Sequence, residues 1–181
     1  MILKNFFFLS RRKLRVFSSC RKFARIFRKG IGIREADADD LQKVQEWFYQ
    51  PDKDPSGFTG ARVTTFIAQK REKILGHARL VRNPEERHPF RGYWLSSLVV
   101  AEPFQGMGIG EDLTRRVIAT AEEEGAEELL LIVYEDQKPA VRLYRKLGFQ
   151  IKRGSALEDD LEQERAFLGS KKVVMSKPLC V

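Results

Sequence analysis

Three glycines at alternate positions, in Gln105-Gly106-Met107-Gly108-Ile109-Gly110, lie between a strand-like pattern, Trp94 to Ala101, and a helical one near Gly110 to Glu124. Glycine has no Cβ, so such a turn adopts positive φ and lets a ligand come close to the main chain. The first amides of the helix have no intrahelical acceptor and sit at the positive end of its dipole, which suits a phosphate or pyrophosphate. The chemistry implied is anion capture by backbone. Two familiar nucleotide motifs fail on spacing: the third glycine of a G-x-G-x-x-G would fall on Glu111, and no Gly-Lys-Ser/Thr follows. The plainer alternative is a strand-to-helix turn that binds nothing.

Downstream, Pro139-Ala140-Val141-Arg142-Leu143-Tyr144-Arg145-Lys146-Leu147-Gly148-Phe149 reads as a helix with Pro in its first turn and Gly just past its end. Together with Gln105 to Gly110 it resembles the GNAT N-acetyltransferase superfamily. That family carries Q/R-x-x-G-x-G/A after its fourth strand and, later, Asn-x-x-Ala…Leu-Tyr-x-x-x-Gly-Phe. The resemblance runs over about residues 31 to 179.

The resemblance implies an α/β (α+β) fold with a mixed sheet of about seven strands, whose fourth and fifth strands splay around acetyl-coenzyme A, the acyl donor. Backbone groups of Leu98, Val99 and Val100 would hold the pantetheine arm, and amides of Gln105, Gly106, Met107, Gly108, Ile109 and Gly110 the pyrophosphate. Gly108 is the position expected to tolerate a Cβ least. Gln137 and Ala140 fall at cofactor positions of the second signature, with Gln137 in place of the usual Asn. The implied reaction is direct attack of a primary amine of a small molecule, peptide or protein on the thioester, aided by proximity. A strand amide near Val100 would stabilise the developing oxyanion. Tyr144 takes the family's general-acid position; without the motif it reads as a half-buried helix aromatic.

No general base stands out. Where ribosomal-protein N-terminal acetyltransferases carry a Glu in the fifth strand, this chain has Ile132. Glu35, His77 and Glu102 qualify by type, or an ordered water serves; a histidine in a strand is more often structural. The missing base and Gln137 motivate a second reading, a catalytically weak GNAT-fold subunit that binds a partner. The acceptor is illegible because acceptor pockets are built from variable loops.

Size admits one globular domain: 181 residues, 43% hydrophobic, enough to bury roughly two thirds of the unfolded surface. Cys20 and Cys180 give neither a disulfide framework nor a metal-ligand spacing, and with only His77 and His88 no metal is expected. No apolar run approaches the ~20 residues of a membrane-spanning helix.

The net charge of +8 is unevenly placed. Residues 1–30 hold ten Lys or Arg and no acid, whereas the remaining body, 31–181, has 23 basic against 25 acidic residues. From Leu14 to Lys29 the tail has the pattern of a basic amphipathic helix, with Val16, Phe17, Cys20, Phe23, Ala24 and Phe27 on one side. It suits an anionic membrane surface, an organellar transit peptide, a protein or RNA partner, or docking on the body itself. The location expected is cytoplasmic, with peripheral membrane attachment or an organelle as the alternatives.

Within the body, Ile31 to Arg34 reads as a first strand, and Asp37 or Asp39 can cap a helix whose Leu41, Val44, Trp47 and Phe48 share a face. Thr64 to Gln69 and Ile74 to Val81 suit a hairpin. The continuous apolar run Leu129 to Val133 suits a central strand, and Phe149 to Arg153 and Lys172 to Met175 suit closing strands.

Overall fold

The computed structural model describes residues 27–48, 60–86, 88–155, 157–158, 161–162 and 171–180. The strands are β1 (Gly32–Glu35), β2 (Arg62–Lys70), β3 (Lys73–Asn83), β4 (Gly92–Val100), β5 (Glu128–Tyr134), β6 (Gln150–Ile151) and β7 (Lys172–Pro178). The helices are α1 (Ala38–Phe48), α2 (Ile109–Glu123) and α3 (Lys138–Lys146), with a short 3-10 turn at Glu102–Phe104. One seven-stranded mixed sheet runs in the order β1-β2-β3-β4-β5-β7-β6. All its neighbours are antiparallel except β4 and β5.

That exception shapes the molecule. The parallel register joins Tyr93 to Leu129 and Trp94 to Leu130 and then stops, although β4 continues to Val100 and β5 to Tyr134. Beyond Trp94 the two strands diverge, as the resemblance implies, and leave facing main-chain edges. A bulge lies on the diverging arm: the β3 partner of β4 jumps between His77–Val99 and Arg79–Ser96, and Ser97 takes φ 54°. The extra residue reverses the in–out alternation. Leu98 and Val100 therefore join Leu95 in the core on the α2 side. Gly76 permits the close approach of β3 here, because a Cβ on it would meet the Val99 carbonyl oxygen at 2.5 Å.

Helix α2 covers this face with Leu113, Val117, Ile118 and Ala121, all buried as the periodicity predicts. Helix α1 is capped reciprocally: the Asp40 amide donates to Asp37 Oδ1 (2.9 Å) and the Asp37 amide to Asp40 Oδ2 (3.1 Å), a capping box closed by aspartate. Its apolar face is only partly used. Val44 is buried with Ile67 and Ile74, whereas Leu41 and Trp47 are 44% and 56% exposed among the described residues.

The end of α2 is tied to β3 by charge. Arg82, almost buried, donates from Nε and Nη2 to the two oxygens of Glu124, both at 2.6 Å, and from Nη1 to Thr64 Oγ1 at 2.8 Å. The Arg82 hydrogen bonds, aided by Arg62, outweigh partial burial and hold the Glu124 carboxyl below its ordinary range. Replacing Glu124 with alanine leaves a buried guanidinium short of partners, and urea unfolding at neutral pH is expected to show a loss of about 2 kcal/mol. A depressed folded pKa gives stability that is present above the unfolded carboxylate value and lost as pH falls through the folded one. The gap between wild type and Glu124→Ala is therefore expected to close below about pH 4. An unchanged urea midpoint would contradict this role.

Candidate functional site: the glycine turn at the mouth of the splayed strands

The glycine turn is pinned from below by its apolar residues, and among the described residues the end of the Arg28 side chain lies over Gly108. Met107 and Ile109 are buried in the main core, whereas Gly106 is exposed. Gly108 is the N-cap of α2 in the left-handed region, φ 87° and ψ 0°, and no side chain caps the helix. Its carbonyl accepts the first helical bond, from the Asp112 amide at 3.1 Å. Helix geometry leaves the amides of Gly108, Ile109, Gly110 and Glu111 without intrahelical acceptors. The Gln105 amide, expected among the anion-facing ones, donates instead to the Glu102 carbonyl at 3.3 Å, and its side chain donates from Nε2 to the Val100 carbonyl at 3.0 Å, tying the turn to the end of β4.

Helix α3 and the end of β4 approach each other at Gly110. A Cβ there would lie 3.7 Å from Leu143 of α3, 3.7 Å from Val100 and 3.9 Å from Leu98 of β4. These are ordinary contacts, so Gly110 has room for a methyl group, whereas Gly106 (φ 76°) and Gly108 (φ 87°) both lie in the left-handed region. At Gly108 the backbone conformation alone disfavours a side chain. The Cβ would also meet Arg28 Nη1 at 2.8 Å.

Tyr144 is placed by the residues that follow it. The Gly148 amide donates to Arg145 O and the Phe149 amide to Tyr144 O, both at 3.0 Å, with Gly148 at φ 93°. This is the Schellman ending of α3, and its accompanying apolar contact is the Tyr144–Phe149 pair, ring centroids 5.7 Å apart and edge to face. Tyr144 is thereby buried in the same core as Met107 and Ile109. Burial pushes its phenol up to about 12, so the hydroxyl keeps its proton at neutral pH.

The remaining sequence candidates separate. Gln137 is the exposed N-cap of α3 and its side chain caps nothing, while Ala140 packs on the main core. Ile132 packs in a second cluster with Val81, Trp94, Leu130 and Val174 on the opposite face. His77 lies beside Val99 and is buried; desolvation, aided by Arg79, lowers its pKa to about 4 and keeps it neutral. It is a structural histidine. Glu35, on edge strand β1, and Glu102, in the 3-10 turn after β4, are both exposed. These candidates form no cluster, and no grouping of three or more potential metal ligands occurs among the described residues. A surface cavity of about 240 Å³ lined by Glu135, Lys138, Val141, Arg142, Arg145 and Ile151 shares no residue with the glycine turn.

The family model for the acetyltransferase (GNAT) family matches residues 28–149, more than half of the chain. The chain belongs to the GNAT family. It is 37% identical over 84 residues to N-alpha-acetyltransferase MAK3 of Arabidopsis thaliana, covering 46% of this chain and 43% of that protein. It is 32% identical over 110 residues to mycothiol acetyltransferase of Geodermatophilus obscurus, covering 60% of this chain and 32% of that protein. The chain thus spans less than half the length of these two relatives. Among solved GNAT structures, an Elizabethkingia anophelis acetyltransferase with acetyl-CoA bound superposes with a TM-score of 0.56 at 22% identity, covering 84% of this chain and 100% of that one. That likeness is one of fold.

Two features escaped sequence reading. The bulge at Ser97 is hidden because Leu98, Val99 and Val100 are all apolar, so no alternation marks the slip. Arg28 reads as one more charge on the tail's polar face, whereas the described end of the tail, from Phe27, docks on the body; residues 1–26 lie outside the described residues.

Proposed function

We propose that this GNAT-family protein is an acetyl-CoA-dependent N-acetyltransferase that acts on a primary amine of a small molecule, peptide or protein. The observation that carries it is the uncapped run of amides at the start of α2, standing where β4 and β5 part. In this reading the amides of Gly106 to Glu111 hold the diphosphate, the β4 edge at Leu98 to Val100 orients the pantetheine arm, and Gln137 and Ala140 flank the cofactor at the start of α3. Bound acetyl-CoA supplies an activated thioester whose acetyl carbonyl an uncharged amine can attack. With its phenol raised to about 12, Tyr144 stays protonated at neutral pH, and its hydroxyl would donate a hydrogen bond to the sulfur as negative charge develops there. The β4 edge would align donor and acceptor.

The two curated relatives carry different names, and the proposal is set at the level of the amine. Residues 1–30 form an appended basic segment on the domain 31–181. The test is thiol release from acetyl-CoA over a panel of small-molecule amines, polyamines and peptide N-termini, with the full chain. Thiol released in step with an acetylated product is expected. Tight cofactor binding without acetylation of any amine would overturn catalysis and leave a binding subunit.

A further inference from the structure

The acidic first turn of α2 stands at odds with an anion site. Glu111 and Asp112 suit the helix dipole, yet each sets a negative charge within one turn of the open amides. Both are neutralised. Glu111 accepts from Lys146 Nζ at 2.6 Å and from Arg115 Nη2 at 3.0 Å, and the Lys146 hydrogen bond, against partial burial, leads in lowering its pKa. Asp112 accepts from Arg28 Nη2 at 2.5 Å. Arg28 comes from 84 residues away in sequence, just before β1.

Its position is built. Phe27 stacks on Phe104 of the 3-10 turn, centroids 5.4 Å apart and planes 16° from parallel. Lys70 Nζ lies 4.1 Å over the Phe27 ring and donates to the Phe27 carbonyl at 2.5 Å, and the Ile31 amide closes a turn on the Arg28 carbonyl at 3.1 Å. The backbone of Arg28 is thus held on both sides by groups outside the glycine turn. With one Nη on Asp112, the other reaches the point above Gly108 where a Cβ would be 2.8 Å away. The side chain is 44% exposed, so its outer face is open.

We infer that Arg28 is a diphosphate ligand of the acyl donor, oriented by Asp112, so that the end of the basic segment completes the main-chain cradle. This rests on the proposed acetyl-CoA binding. A guanidinium carries five donors, of which Asp112 takes one, and Nη1, beside Gly108, is the one placed to meet a phosphate oxygen at the α2 amides. The charge-assisted bond and the cancelled Asp112 charge act in the same direction.

Calorimetry with the full chain tests it, using coenzyme A and 3′-dephospho-coenzyme A, which share the diphosphate. Arg28→Ala is expected to weaken both by the same factor, about tenfold. Arg28→Lys keeps the charge, guards against a misfolded variant, and is expected to recover about half of that loss on a logarithmic scale. Unchanged or tighter binding by Arg28→Ala would overturn the inference, the tighter result marking Arg28 as a plug. A loss confined to coenzyme A would overturn it too, since Arg28 would then serve the 3′-phosphate. If wild type binds neither ligand, the proposed function itself fails; wild-type binding with an indifferent Arg28→Ala removes only the Arg28 assignment.

Discussion

Gly108→Val is expected to lower coenzyme A affinity at least about a hundredfold while the protein stays folded, a loss of roughly 2.7 kcal/mol in binding. Gly108 caps α2 at φ 87°. A residue with a Cβ costs about 1–2 kcal/mol in that region, and a β-branched one more. The chain can relieve the strain by turning the peptide planes that flank the cap. The α2 amides then no longer converge on one point, and whatever methyls remain stand where a phosphate would approach. The nearest atom in the way is the end of Arg28, a flexible side chain that can move aside, so the penalty falls on the backbone and on the ligand more than on packing. Gly110→Ala is the paired control: its Cβ meets only ordinary contacts at 3.7 Å and beyond. Calorimetry should find it within about threefold of wild type. Gly108→Val binding as tightly as wild type would show that the turn is mere punctuation between a strand and a helix.

Tyr144→Phe is expected to cut kcat by about a hundredfold or more, the usual scale of a positioned general acid, with coenzyme A affinity little changed. The phenol makes its packing contacts through the ring, against Phe149 and the core shared with Met107 and Ile109, and phenylalanine keeps all of them. What is lost is the proton. With the phenol raised to about 12, Tyr144 stays protonated across an ordinary assay range. Any alkaline fall in rate below about pH 11 must therefore belong to another group, and the shape of the pH profile should survive in Tyr144→Phe. Equal kcat in the two proteins would leave Tyr144 as a packing residue that the Schellman ending happens to fix.

Why some of this was legible and some not follows from the range of each interaction. The Leu143-Tyr144…Gly148-Phe149 stretch is local: the glycine and the helix end lie within one turn, and residue types alone predict them. The glycine turn is local too, and so is the run Leu129 to Val133, whose partners on both faces the structure confirms. The bulge at Ser97 is set by pairing with β3 and by the approach that Gly76 allows at Val99, neither of which leaves a mark in β4 itself. Arg28 is the extreme case, since its meaning depends on Asp112, 84 residues distant. Leu41 and Trp47 show the converse: a helical apolar stripe predicts burial, but only Val44 finds a partner among the described residues.

The central claim is that main-chain amides at the start of α2 hold the diphosphate of acetyl-CoA. Titrating the isotope-labelled full chain with coenzyme A while recording amide resonances reads those groups one by one. The largest shifts should fall on Gly106 to Glu111, with a second set on Leu98 to Val100. Saturable binding that leaves the Gly106–Glu111 amides in place would contradict the account.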